Sequence, residues 1–168
     1  MEFRLALESD VASIMSIIKQ AQSYFKEQRI NQWQNGYPNP EVIMNDIRKK
    51  YSYVLVKEDK VVGTVAVSFD GEKTYDFIFN GDWLSHQAYA VIHRMAVDAQ
   101  LKGLGLSSII MKKIEEMCLN KGVHSIKIDT HQENKSMQKL LQKNGFQYCG
   151  IIHLLDKSER LAFEKILL

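Results

Sequence analysis

A mixed α/β (α+β) fold is the class this sequence predicts: a mostly antiparallel sheet of about six to seven strands flanked by helices. Three observations predict it. Short apolar runs rich in Val, Ile, Tyr and Phe alternate with segments of helical periodicity. Two of the runs, Tyr51–Lys57 and Lys60–Phe69, are separated only by Glu58-Asp59, the spacing of a two-residue hairpin. A glycine-bearing turn, Gln100-Leu101-Lys102-Gly103-Leu104-Gly105, then joins a late apolar strand to a helix.

The elements follow in order. Phe3–Leu7 reads as a first strand, and Ser9 or Asp10 can cap a helix with the apolar face Ile14, Ile18, Ala21 and Phe25. Gln32–Pro40 carries asparagine, glycine and proline and reads as a loop before a short helix, Glu41–Lys50. After the hairpin, Thr74–Phe79 reads as extended and Asn80-Gly81-Asp82 as a turn. Tyr89–Val97 is a strand with His93, Met95 and Val97 on one face, followed by the helix Leu104–Asn120 closed at Lys121-Gly122. Ser125–Asp129, a helix Asn134–Lys143 and the strands Phe146–His153 and Arg160–Leu167 complete the chain.

Composition narrows the function classes. The 168 residues suffice for one domain, 1–168, with a sizeable core. A formal charge of +2 argues for no polyanionic partner and against none, and no nucleic-acid partner is expected. No apolar run approaches the ~20 residues of a membrane span, and Met1–Leu5 lacks the apolar region of a signal peptide. Cys118 and Cys149 fit no metal or redox spacing and read as buried free thiols of a cytoplasmic protein.

The glycine turn carries the chemistry. Glycines let a backbone approach a phosphate closely, and the first N–H groups of a helix lack intrahelical partners. A pyrophosphate at that point is therefore favoured by hydrogen bonds and by the helix dipole. A Walker loop needs G-x-x-x-x-G-K-[ST], which is absent. A dinucleotide fingerprint needs a third glycine where Ser108 stands, and an earlier position in the chain.

Gln100-x-x-Gly103-x-Gly105 resembles the Q/R-x-x-G-x-G/A pyrophosphate loop of the GNAT superfamily of acyl-CoA-dependent N-acyltransferases. His93-Arg94-Met95-Ala96-Val97 resembles the strand that precedes that loop. Asn134-Lys135-Ser136-Met137, leading to Asn144-Gly145-Phe146, resembles the downstream N-x-x-A...G-F segment. Element order extends the likeness over the whole chain, and Ile128–Asn134 with Arg160–Lys165 is similar to small bacterial members of unassigned substrate.

The resemblance implies an acyl-CoA N-acyltransferase fold, acetyl-CoA (coenzyme A) as cofactor, no metal, and a small-molecule or peptide amine as acceptor. It implies main-chain contacts to the pantetheine arm from Met95, Ala96 and Val97. It implies pyrophosphate contacts from the amides of Leu101, Lys102, Gly103, Leu104, Gly105 and Leu106, with Gln100 bracing the loop and Lys102 adding charge. Asn134 would cap its helix and also reach the cofactor. An exposed edge of the last strands is where a homodimer would pair.

Direct transfer needs a neutral amine, and a lysine-like amine titrates near ~10.4. His93 is the candidate base, since histidine titrates near working pH and it resembles the histidine of the H-x-L-A-V run in arylalkylamine N-acetyltransferases. Asp129 and His131, past the end of the next strand, are candidates for binding the amine or relaying a proton; a cap-and-turn cluster is the alternative. Trp33, Tyr37, Asp82 and Trp83 are acceptor-side candidates through charge and cation–π contact, with a loop-anchoring aromatic core as the alternative. One departure stands out: the superfamily's usual tyrosine acid is replaced by Leu141. That keeps a non-catalytic acyl-CoA-binding module in view as the second reading.

Overall fold

The computed structural model describes residues 1–168. Seven strands form one mixed sheet in the order β1-β2-β3-β4-β5-β7-β6. They are β1 (Glu2–Leu5), β2 (Ser52–Lys57), β3 (Lys60–Ser68), β4 (Ala90–Val97), β5 (Ser125–Thr130), β6 (Gln147–His153) and β7 (Glu159–Ile166). Four helices accompany them: α1 (Val11–Glu27), α2 (Pro40–Arg48), α3 (Leu106–Asn120) and α4 (Lys135–Lys143). No helix is long and apolar enough to cross a membrane. The contacts divide the chain into two compact units, 1–67 with 93–113 and 68–92 with 114–168.

In the first unit, β1, β2 and β3 are antiparallel neighbours. Glu58 and Asp59 close the hairpin with φ of 50° and 62°, the left-handed pair that a two-residue turn requires. Ile14 and Ile18 of α1, at the spacing read from the sequence, and Met15, which that reading left out, pack with Ile43 of α2, Val54 of β2 and Ala6. Asn39 caps α2 by accepting the Val42 amide at 3.0 Å, with Pro40 in the first turn where its missing N–H costs nothing. Asp10 does not cap α1 through its side chain. Its carboxylate instead takes Arg4 at 2.7 and 3.1 Å and the Leu7 amide at 2.7 Å, a stronger pair of partners than a helix N–H alone.

In the second unit, β5 pairs antiparallel with β7, and β7 with β6. β4 runs parallel to β5 at Ala90↔Ile126 and Val91↔Lys127. The segment expected to be extended at Thr74–Phe79 is not a strand. Lys73–Tyr75 forms a 3-10 turn, begun by the Glu72 side chain accepting the Thr74 amide, and only Phe79 makes a bridge, to Ile151. The reason is packing. Tyr75 and Trp83 are buried in a cluster with Val91, Cys149, Ile152 and Ala162, so this segment covers the sheet rather than extending it. Gly81 and Gly150 allow the approach, since a Cβ on Gly81 would stand 1.9 Å from the Cys149 carbonyl oxygen.

Candidate active site

The glycine turn is built by the first unit. Asp98, 5% exposed, ends β4: its amide donates to Val62 O at 2.8 Å and its carboxylate accepts the Gln100 amide at 3.0 Å. Ala99–Leu101 then form a 3-10 turn in which the amides of Leu101 and Lys102 donate to the carbonyls of Asp98 and Ala99 at 2.9 and 3.4 Å. Those two amides, expected to face a pyrophosphate, are thus taken up by the protein. The amides of Gly103, Leu104, Gly105, Leu106 and Ser107 enter none of these bonds, and the first bond into α3 runs from Ile109 to Gly105 O. Of the amides expected to face a pyrophosphate, those of Gly103 to Leu106 are the ones outside the turn's own bonds.

The two glycines have φ of +85° and +76°, and nothing lies within 4 Å of a Cβ placed on either. Their requirement is conformational, and the space over them is open. Gln20 of α1 accepts the Ala99 amide at 2.8 Å. The Lys102 ammonium sits 4.2 Å from the centre of the Tyr24 ring, which holds a positive charge at the turn. A turn of open glycines, main-chain donors outside the turn's own bonds and a helix N-terminus suits a diphosphate.

Upstream, the alternation expected for His93, Met95 and Val97 is interrupted. Arg94 has φ of 51° inside β4, a left-handed conformation that costs a non-glycine residue about 1 kcal/mol or more. Its guanidinium offsets that cost. Nε and Nη2 donate to the two carboxylate oxygens of Asp46 at 2.6 and 2.7 Å, and Nη1 donates to the Tyr37 hydroxyl at 2.9 Å. The irregular residue beside His93 is therefore held by α2 and by the loop before it. Sequence reasoning passed over Arg94 and Asp46, although an arginine in an apolar strand was a signal that a buried acid would be needed. Tyr37 was expected on the acceptor side, and the structure joins it to the β4 irregularity. Trp33 packs against the α1–α2 core and meets Phe25 edge-on at 5.8 Å.

The second unit carries the other candidates. The Asp129 carboxylate accepts the Tyr75 hydroxyl at 2.6 Å, and burial, then Asp129, pushes that phenol well above its ordinary value. His131 Nδ1 accepts the Glu133 amide at 3.0 Å, so the proton of the neutral ring is on Nε2. Burial, then the nearby Arg160, lowers the His131 pKa below 6.5. Asn134 caps α4 by accepting the Met137 amide at 3.1 Å.

Trp83 is 8% exposed, donates from Nε1 to Tyr75 O at 2.9 Å, and lies 4.3 Å from the Lys127 ammonium. The ring expected to attract a substrate cation thus lies against the chain's own lysine. Asp82 accepts the Trp83 amide at 2.8 Å, a turn role. Both cysteines are free and buried, and burial, then Glu115, pushes the Cys118 thiol up to about 11. No group of three or more His, Cys, Asp or Glu side chains is placed to hold a metal ion.

A family model for the acetyltransferase (GNAT) family matches residues 18–146. A crystal structure of a GNAT-family acetyltransferase from Streptococcus agalactiae 2603 is 32% identical, covers 99% of this chain and 95% of its own, and superposes with a TM-score of 0.91. A GNAT-family acetyltransferase from Listeria monocytogenes 4b F2365 shares the fold at 18% identity, with coverage of 99% and 94% and a TM-score of 0.75. A ribosomal-protein-alanine N-acetyltransferase from Brucella melitensis does so at 19% identity, with coverage of 99% and 100% and a TM-score of 0.69. No curated protein matches the chain.

Proposed function

The chain belongs to the acetyltransferase (GNAT) family and is an acyltransferase, and on that premise we propose that it transfers an acetyl group from acetyl-CoA directly to a primary amine of a small molecule or peptide. The observation that carries this reading is the Gly103–Ser107 turn, with its open glycines and its amides outside the bonds of the turn. Acetyl-CoA would supply an acetyl group already activated as a thioester. The amides from Gly103 to Ser107 would hold the diphosphate, supported by the Lys102 charge and the α3 N-terminus. Main-chain groups of Met95, Ala96 and Val97 would pair with the pantetheine arm, and an N–H there would steady developing negative charge on the carbonyl oxygen. Asn134 would add a contact besides its capping role.

The chain's remaining task is the proton. Freeing a lysine-like amine at pH 7 costs roughly 4–5 kcal/mol, and a base near neutrality reduces that. His93, beside the strained Arg94, would take the proton. Asp129 would attract the amine electrostatically. Neither cysteine offers a thiolate, since both thiols are buried and raised in pKa, which favours direct transfer in a ternary complex over an acyl-cysteine route.

Isothermal titration with acetyl-CoA and an amine panel with thiol detection test this together. Micromolar binding with amine-dependent release of free coenzyme A is the expected result. Binding without release above the blank would instead favour an acyl-CoA-binding module, the reading that Leu141 at the usual tyrosine position keeps alive.

A further inference from the structure

β5 and β7 present a column of alternating charge on one face. Their register sets Lys127 opposite Glu164 and Asp129 opposite Ala162, so Lys127, Asp129, Glu164 and Arg160 lie on the same side. The covering segment before β4 engages three of them. Glu164, fully buried, accepts the amides of Leu84 and Ser85 at 2.8 and 3.3 Å and the hydroxyls of Ser85 and Ser125 at 2.6 and 2.7 Å. The Lys127 ammonium lies 4.3 Å from the Trp83 ring centre and 4.1 Å from that of Tyr89. Asp129 takes the Tyr75 hydroxyl.

Arg160 ends the column, next to the last strand's start. It is half-buried, and its guanidinium donates from Nη1 to its neighbour's carbonyl, Glu159 O, at 2.9 Å. Burial works against its charge, while Asp129 and Asp156 favour it. The next position past β5 in the same register is His131. Its Nδ1 is occupied by the Glu133 amide, which leaves Nε2–H as a donor. A half-buried guanidinium and an imidazole N–H thus present donors alone, and the guanidinium feels the charges of Asp129 and Asp156. That charge pattern is complementary to a molecule carrying an amine and a carboxylate, and a guanidinium is the side chain best shaped for the second.

We propose that Arg160, with the Nε2–H of His131, receives the carboxylate of an amino-acid acceptor. This rests on the acetyl-transfer reading above and narrows its amine to one that also bears a carboxylate.

The test uses the full chain and matched probes: phenylalanine with phenethylamine, lysine with cadaverine, and β-alanine with ethylamine. Acetylation kinetics and calorimetric binding in the presence of coenzyme A are measured for each. The expected result is a preference of tenfold or more in kcat/KM for at least one carboxylated member, expressed in KM. Arg160→Gln should cut that preference about tenfold, the scale of one charge-assisted hydrogen bond. Arg160→Lys should restore part of it, and melting curves of both variants guard against misfolding. Equal use of both members of every pair, or a preference that Arg160→Gln leaves unchanged, overturns the proposal and leaves acetyl transfer standing. Arg160-dependent binding of the carboxylated probes without turnover of any amine keeps the carboxylate site but overturns its assignment to an acceptor, and counts against the acetyl-transfer reading itself. Absence of both binding and preference overturns it as well.

Discussion

Arg94 and Asp46 form a two-bonded ion pair, 2.6 and 2.7 Å, between an irregular residue of β4 and the last turn of α2. Their side chains are 16% and 6% exposed. Without the arginine, a nearly buried carboxylate would lose its partner, and the left-handed backbone at residue 94 would lose the contact that holds it. Arg94→Ala should therefore lower stability by about 3 kcal/mol, the low end for breaking a buried pair because the arginine keeps some exposure. Arg94→Lys should recover less than half, since an ammonium cannot make the paired geometry. Urea denaturation of the three proteins measures this, and a loss below ~1 kcal/mol for Arg94→Ala would show that α2 does not brace the strand.

Two glycines with positive φ should respond oppositely to substitution. A Cβ at Gly81 would lie 1.9 Å from a backbone oxygen, whereas one at Gly105 meets nothing within 4 Å. Gly81→Ala should thus force the segment off the sheet and lower the melting temperature clearly. Gly105→Val should cost only the strain of its φ, about 1–2 kcal/mol, while raising the Kd for coenzyme A at least tenfold. Calorimetry of both variants separates the two effects; intact binding by Gly105→Val would remove the turn from the cofactor site.

His93→Ala should lower kcat more at pH 6.5 than at pH 9. At the higher pH a larger share of amine is already neutral and needs no base. Initial rates at saturating acetyl-CoA across that range decide it, and an equal loss at both ends would return His93 to a structural role.

His131 should titrate below 6.5, because burial, then Arg160, disfavours its charged form. A folded-state pKa below the unfolded one means that the unfolded chain binds the proton first as pH falls. The contribution to stability is present above pH 6.5 and is lost as pH drops from there through the folded value. The imidazole resonance followed by NMR reports the midpoint, and Arg160→Gln should move it upward. A midpoint at or above 6.5 in the wild type would contradict the assignment.

Both cysteines should be silent toward a maleimide at pH 8 in the folded protein and react together once it unfolds. Cys118 is fully buried with a thiol at about 11, and Cys149 is 6% exposed with a raised thiol. Mass spectrometry of labelled native protein checks this, and modification of Cys149 under native conditions would reveal opening of the segment that covers it.

Local periodicity and turn chemistry made most of the elements legible in the sequence. The Glu58-Asp59 hairpin, the apolar face of α1, the Asn134 cap and the Gly103–Gly105 turn each depend on residues within a few positions of one another. The aromatic content of Thr74–Phe79 suits a strand equally well, and only the burial of Tyr75 and Trp83 against β4, β6 and β7 settles its course. The bonds from the Leu101 and Lys102 amides to the Asp98 and Ala99 carbonyls are a competition that spacing alone does not reveal. Arg94 with Asp46, and the column from Glu164 to Arg160, were decided by tertiary structure alone. Charges that lie 48 positions apart in the chain, as Arg94 and Asp46 do, become partners only when the sheet and its helices bring them within hydrogen-bonding distance, where low local polarity makes each one need the other.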